Sequence, residues 1–240
     1  MRVTDNPGRA AGLLYLLLVV LGAFSILYVP SKLIVPGDAT ATANNILASE
    51  GLYRLSIVSG LISAVVFLFL ARALYRLLHP VSKPLASLMV TLVMISVAIG
   101  FALTMNDVAV LTVLRGTDFL AVFSQAQREG LAMLFLHLGT QGMPVSQLFW
   151  GLWLFPFGVL VMRSGFLPRI LGILLVVNGV AYVVASLTGL LLPAYADLVG
   201  RIALVPELGE IWMMLWLLIK GARVRPAAEI SPGRVAQASS

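Results

Sequence analysis

Residues Ile170 to Leu191 read ILGILLVVNGVAYVVASLTGLL, and the strongest polar interruption in that run is Asn178, near its middle. A helix rises about 1.5 Å per residue, so some 20 apolar residues match a hydrocarbon core about 30 Å thick. This stretch is therefore a membrane span. Composition extends the reading to the whole chain of 240 residues, which is 60% hydrophobic and only 11% charged. Its mean hydropathy is +1.01. Soluble proteins carry about 25% charged residues, so this chain has too few polar side chains to cover a soluble surface. The apolar runs continue to Leu218, which a single signal peptide does not explain. With no cysteine in the sequence, disulfides, thiolate metal sites and cysteine nucleophiles are excluded.

Working outward from this span, the turn Arg163-Ser164-Gly165-Phe166-Leu167-Pro168-Arg169 precedes it and a loop over 193–200 follows it. The neighbouring spans are expected over about 145–162 and 202–219, and three more over about 10–29, 52–78 and 85–104. Between the first two, Pro36-Gly37 signals a turn and Asp38 is placed to cap a short helix over 39–48. Thr40, Thr42, Asn44 and Asn45 make that helix too polar to cross, so it is expected to lie at the outer interface. His79-Pro80-Val81-Ser82-Lys83-Pro84 is a tight turn. Residues 108–128 read as an outer loop containing helix. The break Gly139-Thr140-Gln141-Gly142-Met143-Pro144 favours a short outer helix followed by a separate fourth span over one long bent helix. The fold class is an all-α, polytopic six-helix transmembrane bundle over 1–222, with a disordered tail over 223–240.

Sixteen Lys and Arg against ten Asp and Glu give a net charge of +6. The basic residues cluster beside the apolar runs, and no basic-aromatic face points to nucleic acid, so the expected partner is the lipid bilayer. With both termini inside, the inner side holds Arg2, Arg9, Arg72, Arg76, Lys83, Arg163, Arg169, Lys220, Arg223, Arg225 and Arg234. That satisfies the positive-inside rule at the short loops. The location expected is the cell membrane, with cytoplasmic N- and C-termini. A homo-oligomer or another membrane partner stays open.

Three segments carry a resemblance. They are Arg9-Ala10-Ala11-Gly12-Leu13-Leu14-Tyr15-Leu16, Arg163-Ser164-Gly165-Phe166-Leu167-Pro168-Arg169-Ile170-Leu171-Gly172, and Glu210 followed by Leu215-Trp216-Leu217-Leu218-Ile219-Lys220-Gly221. They resemble a bacterial family of uncharacterised multi-pass membrane proteins, domain of unknown function 4386 (DUF4386). The resemblance covers nearly the whole chain except the tail. It implies a membrane location and this topology, and it carries over no catalytic residue.

Val205-Pro206-Glu207-Leu208-Gly209-Glu210-Ile211-Trp212 places two carboxylates one turn apart in the last span. Counting from Lys220 puts Glu210 roughly 15 Å into the membrane, and counting from Arg169 puts Asn178 at roughly 13 Å. Both lie near the midplane. Asn178 and Tyr182 share a face of the fifth helix, as Glu207 and Glu210 do of the sixth. A polar cluster of Glu210, Asn178, Glu207 and Tyr182 is therefore the candidate intramembrane site. An acid at a helix centre costs about 2.5–3.5 kcal/mol on insertion scales. Glu210 is either a carboxylate that couples a proton or cation, or a neutral acid bonded to Asn178 as interhelical glue. Glu207, one residue after Pro206, also reads as an ordinary first-turn acid.

Weaker candidates lie towards the outer side. His137 and Gln141 share a helix face, and a His-plus-carboxylate metal site there competes with a plain interfacial histidine. Glu50 and Arg54 are spaced for an exposed ion pair, which Arg128, Glu129 and Asp107 would extend. Ser56, Ser59, Gly60 and Ser63 form a stripe of small residues that reads as a close helix contact, or else as a polar track. No cofactor is expected. The functional expectation is a non-catalytic multi-pass membrane component. Its alternatives are a small proton- or cation-coupled transporter using Glu210, and a membrane-embedded enzyme in the outer half.

Overall fold

The first span begins at Asn6, whose side-chain carbonyl accepts from the N–H groups of Gly8 (3.0 Å) and Arg9 (3.4 Å) while Pro7 opens the helix. In the computed structural model, residues 6–222 are described, apart from the side chains of Val205 and Glu207. The expected tail over 223–240 lies outside them. From Asn6 the chain runs helically to Leu33, through α1 (Pro7–Ala23), a π-helical segment (Phe24–Tyr28) and α2 (Val29–Leu33). The interfacial helix α3 (Ala39–Ala48) forms where the capping signal placed it. The Asp38 carboxylate accepts from Ala41 N–H at 2.8 Å.

The remaining helices are α4 (Glu50–Leu78), α5 (Lys83–Arg115), α6 (Gln125–Leu152), α7 (Leu154–Arg163), α8 (Arg169–Leu191) and α9 (Ala196–Ile219). The described residues form no strand, and six helical segments are long and apolar enough to cross a membrane. The fold is thus an all-α, multi-pass membrane bundle. Two segments exceed their expected bounds. The third span does not stop near Thr104 but continues to Arg115, where Gly116 ends it in the left-handed conformation (φ 65°). The fourth starts at a Ser124–Gln127 capping box and passes straight through residues 139–144. Its break comes at Trp153 instead, between α6 and α7. Pro156 lies one turn beyond that region and cannot donate to the Leu152 carbonyl.

The six spans close a ring in chain order, and the sixth packs back on the first. At the end that carries the termini, α7 fills the centre of the ring. Trp153, Leu154, Phe157 and Leu160 are at most 2% exposed there, against Leu70, Leu74, Met89 and Met213. A smaller apolar cluster closes the opposite end. It joins Val29 and Leu33 of α2, Ala43 and Ile46 of α3, and Val110 and Leu111 of α5.

The fourth and fifth spans meet through glycine. A Cβ added to Gly158 would lie 2.7 Å from the Gly172 carbonyl oxygen, and one on Gly151 would lie 2.7 Å from that of Gly179. These contacts are two turns apart on both helices. Two turns further along, Ser186 Oγ donates to the Pro144 carbonyl at 2.7 Å and braces the helix at its internal proline. Small residues let helices approach in a membrane, where apolar burial offers no driving force between them.

Gly158→Leu is expected to force this crossing apart and lower stability by about 1–3 kcal/mol, the usual cost of overpacking. Gly130, whose added Cβ would meet nothing within 4 Å, is the matched control. Thermal unfolding in detergent should show a drop for Gly158→Leu and little change for Gly130→Leu. Equal behaviour of the two would contradict the crossing.

Candidate functional site

Beyond the plug formed by α7, the ring encloses a cavity of about 570 Å³ that extends from mid-bundle towards the end away from the termini. Its floor is aromatic. Trp153 has Phe67 edge-on at 5.2 Å between ring centroids and Tyr15 tilted at 6.4 Å. Trp150 and Tyr182 meet edge-on at 6.2 Å beside it, and both line the cavity.

Two carboxylates line the same space, one at each end, and each accepts a tyrosine hydroxyl. Tyr15 donates to Glu210 Oε1 at 2.7 Å, and Tyr53 donates to Asp107 Oδ1 at 3.1 Å. The first bond spans α1 and α9, and the second α4 and α5. Among the described residues, no Lys, Arg or His lines the cavity.

The hydroxyls in the wall mostly give their protons to backbone. Ser25 donates to Gly22, Thr104 to Gly100 and Thr140 to Leu136, each within its own helix. Ser63 donates across to Leu18 at 3.2 Å, and Ser59, one turn away, donates to Leu21 at 3.0 Å. The serine stripe of the second span is thus both a helix contact and part of the cavity wall, since Ser56, Gly60 and Ser63 line it. Ser56, Ser96 and Ser146 also lie in the lining; Ser146 is 3% exposed, and its fully buried Oγ has no hydrogen-bond partner among the described residues.

Val19, Ala23 and Ile26 of the first span and Thr140 of the fourth line the cavity and are also exposed. The π-helical segment lines the cavity through Ser25 and Ile26. Such departures from α geometry concentrate at functional sites.

The sequence candidates divide sharply. Glu210 and Tyr182 come together at the cavity. Asn178 is fully buried on α8 and does not line it. Neither atom of its amide has a hydrogen-bond partner among the described residues, so the expected bond to Glu210 is not formed. The side chain of Glu207 lies outside the described residues. His137 and Gln141 are exposed on α6 and outside the lining, and the described residues bring no three of His, Asp and Glu together.

Glu50 and Arg54 form an ion pair at 2.6 Å, joined by Arg115 at 3.1 Å. Exposed pairs of this kind contribute about 0–1 kcal/mol. Glu129 does not extend that network. It accepts from Thr40 at 2.6 Å and from Gln125 at 2.9 Å, fastening α3 to α6. Trp212 faces outward at 59% exposure.

Tyr15, Tyr53 and Asp107 are the site residues that the sequence reading did not assemble. Tyr15 has no polar neighbour in sequence to mark it, and its partner lies at the other end of the chain.

Comparison with known proteins adds family and not activity. An uncharacterized protein of Archaeoglobus fulgidus is 30% identical over 169 residues, covering 70% of this chain and 85% of its own. No solved structure matches. A family model described as "Domain of unknown function (DUF4386)" matches residues 10–221, which takes in all six spans but the first turn of α1. The chain belongs to that family, DUF4386.

Proposed function

We propose that this integral membrane protein is a non-catalytic binding component that holds a small, largely apolar molecule within its helical ring. The observation that carries this reading is the cavity of about 570 Å³ between the spans. Small-molecule sites occupy about 300–1,000 Å³ and combine an apolar wall with a few placed polar groups. The exposed lining residues Val19, Ala23, Ile26 and Thr140 support entry from the bilayer, the phase in which an apolar molecule is most concentrated. Each carboxylate already takes a tyrosine hydroxyl, an arrangement suited to holding a ligand and supplying no activated nucleophile.

The test uses 1-N-phenylnaphthylamine, a neutral apolar fluorophore, with the full chain in nanodiscs. Saturable binding above empty nanodiscs is expected. Gly60→Phe, which puts a ring into the cavity from a position in ordinary contact with Ser25, should weaken it at least about ten-fold. Absence of saturable binding to the unaltered protein would overturn the proposal.

The access of the cavity to Glu210 also favours a second reading, coupled transport of a proton or cation. In proteoliposomes a pH gradient should then decay faster with the protein than without it, and Glu210→Gln should return the decay to background. Equal decay with and without protein sinks this reading and leaves binding intact.

The proposed setting is the cell membrane with both termini cytoplasmic. Arg72, Arg76, Lys83, Arg163 and Arg169 flank the two short turns at the end that carries the termini, which supports this orientation. The chain has no cysteine, so single replacements report cleanly. An impermeant maleimide applied to intact cells should label Thr117→Cys and spare Ser82→Cys; the reverse pattern would invert the topology.

A further inference from the structure

We infer that the molecule held in the cavity carries a positively charged amine on an apolar body, and that Glu210 receives the ammonium group. This rests on the proposed binding function and narrows it to one class of ligand. The sign of the site is the first reason. Glu210 and Asp107 both line the cavity and, among the described residues, no basic side chain does. Charges interact several-fold more strongly in such surroundings than in water, so the wall favours a cation over a neutral molecule and disfavours an anion.

The hydrogen-bonding character of the wall is the second reason, and it is independent of charge. Ser25, Ser63, Thr104 and Thr140 spend their protons on backbone carbonyls, so what they offer the cavity is lone pairs. Tyr15 and Tyr53 donate to the carboxylates. A carboxylate accepts at about four lone-pair sites. These groups present acceptors to the cavity, beside the hydroxyls of Ser56 and Ser96 and the indole N–H groups of Trp150 and Trp153. An ammonium group brings three donors and no acceptor, which suits the acceptors among them.

The third reason is the aromatic floor. Trp150 and Trp153 line the same end as Glu210, and indole faces attract cations.

The experiment compares decylamine, decanol and decanoate as competitors of bound 1-N-phenylnaphthylamine, using the full chain in nanodiscs at pH 7. The three share one chain length and differ in headgroup charge. Decylamine should displace the fluorophore at a concentration at least about ten-fold lower than decanol, with decanoate weakest. Glu210→Gln should bring decylamine to within about two-fold of decanol. Asp107→Asn is a second variant, which should reduce the preference for the amine in part.

Equal displacement by decanol or decanoate in the unaltered protein overturns the amine assignment even if neither variant folds. Failure of the fluorophore itself to bind overturns the cavity reading, and the assignment with it.

Discussion

The contact on which the ring depends is backbone against backbone, where Gly151 and Gly158 lie on Gly179 and Gly172. A membrane gives helices no hydrophobic reward for meeting, so close van der Waals approach has to supply the attraction. Drawing the fourth span tightly onto the fifth fixes where its other faces point. Below the break at Trp153, those faces present Leu154, Phe157 and Leu160 to the middle of the bundle and fill it. Above the break, Met143, Ser146 and Trp150 border open space. One helix is therefore the plug of one half of the ring and a wall of the other.

The tyrosine–carboxylate pairs follow from the same geometry. A carboxylate in the bilayer interior is costly unless something hydrogen-bonds it. Glu210 and Asp107 each meet a phenol contributed by a neighbouring span. Those phenols also tie helices together on opposite sides of the cavity, so what makes the acids tolerable also keeps the wall in place. Polar residues in membrane bundles commonly serve as interhelical glue or as functional groups. Glu210 answers to the first description, joining α1 to α9 through Tyr15.

Much of the fold was legible because it depends on local patterns. Six apolar runs, the Asp38 cap and the turns at Pro80 and Pro168 are visible in windows of a few residues. The errors came where a distant partner cancels a local signal. Asn106-Asp107 looks like the polar end of a span, but Tyr53 satisfies Asp107 and the helix continues to Arg115. Gly139 to Pro144 looks like a break, yet the helix passes through it. Ser186 braces it from α8, as bundles do for prolines within spans. Depth arithmetic puts Glu210 well inside the sixth span, because depth follows from counting residues. Choosing its partner required knowing which helices are neighbours. Fifth and sixth were the natural pair, and the hydrogen bond came from the first. Asn178 lies at a similar depth and still points elsewhere.

That first helix has a consequence for how the molecule is made. Asn6 accepts from Ala222 N–H at 3.1 Å, Gly8 N–H donates to the Ala222 carbonyl at 3.1 Å, and Arg9 caps the last helix through the Ile219 carbonyl at 3.0 Å. Every C-terminal partner in this seam lies at the far end of the sixth span or just beyond it. Before the sixth span is made, α1 has α4 to lean on but not α9, and Tyr15 has no Glu210. Ring closure therefore has to follow synthesis of the sixth span, and a chain truncated before that span is an open horseshoe whose cavity has no floor carboxylate.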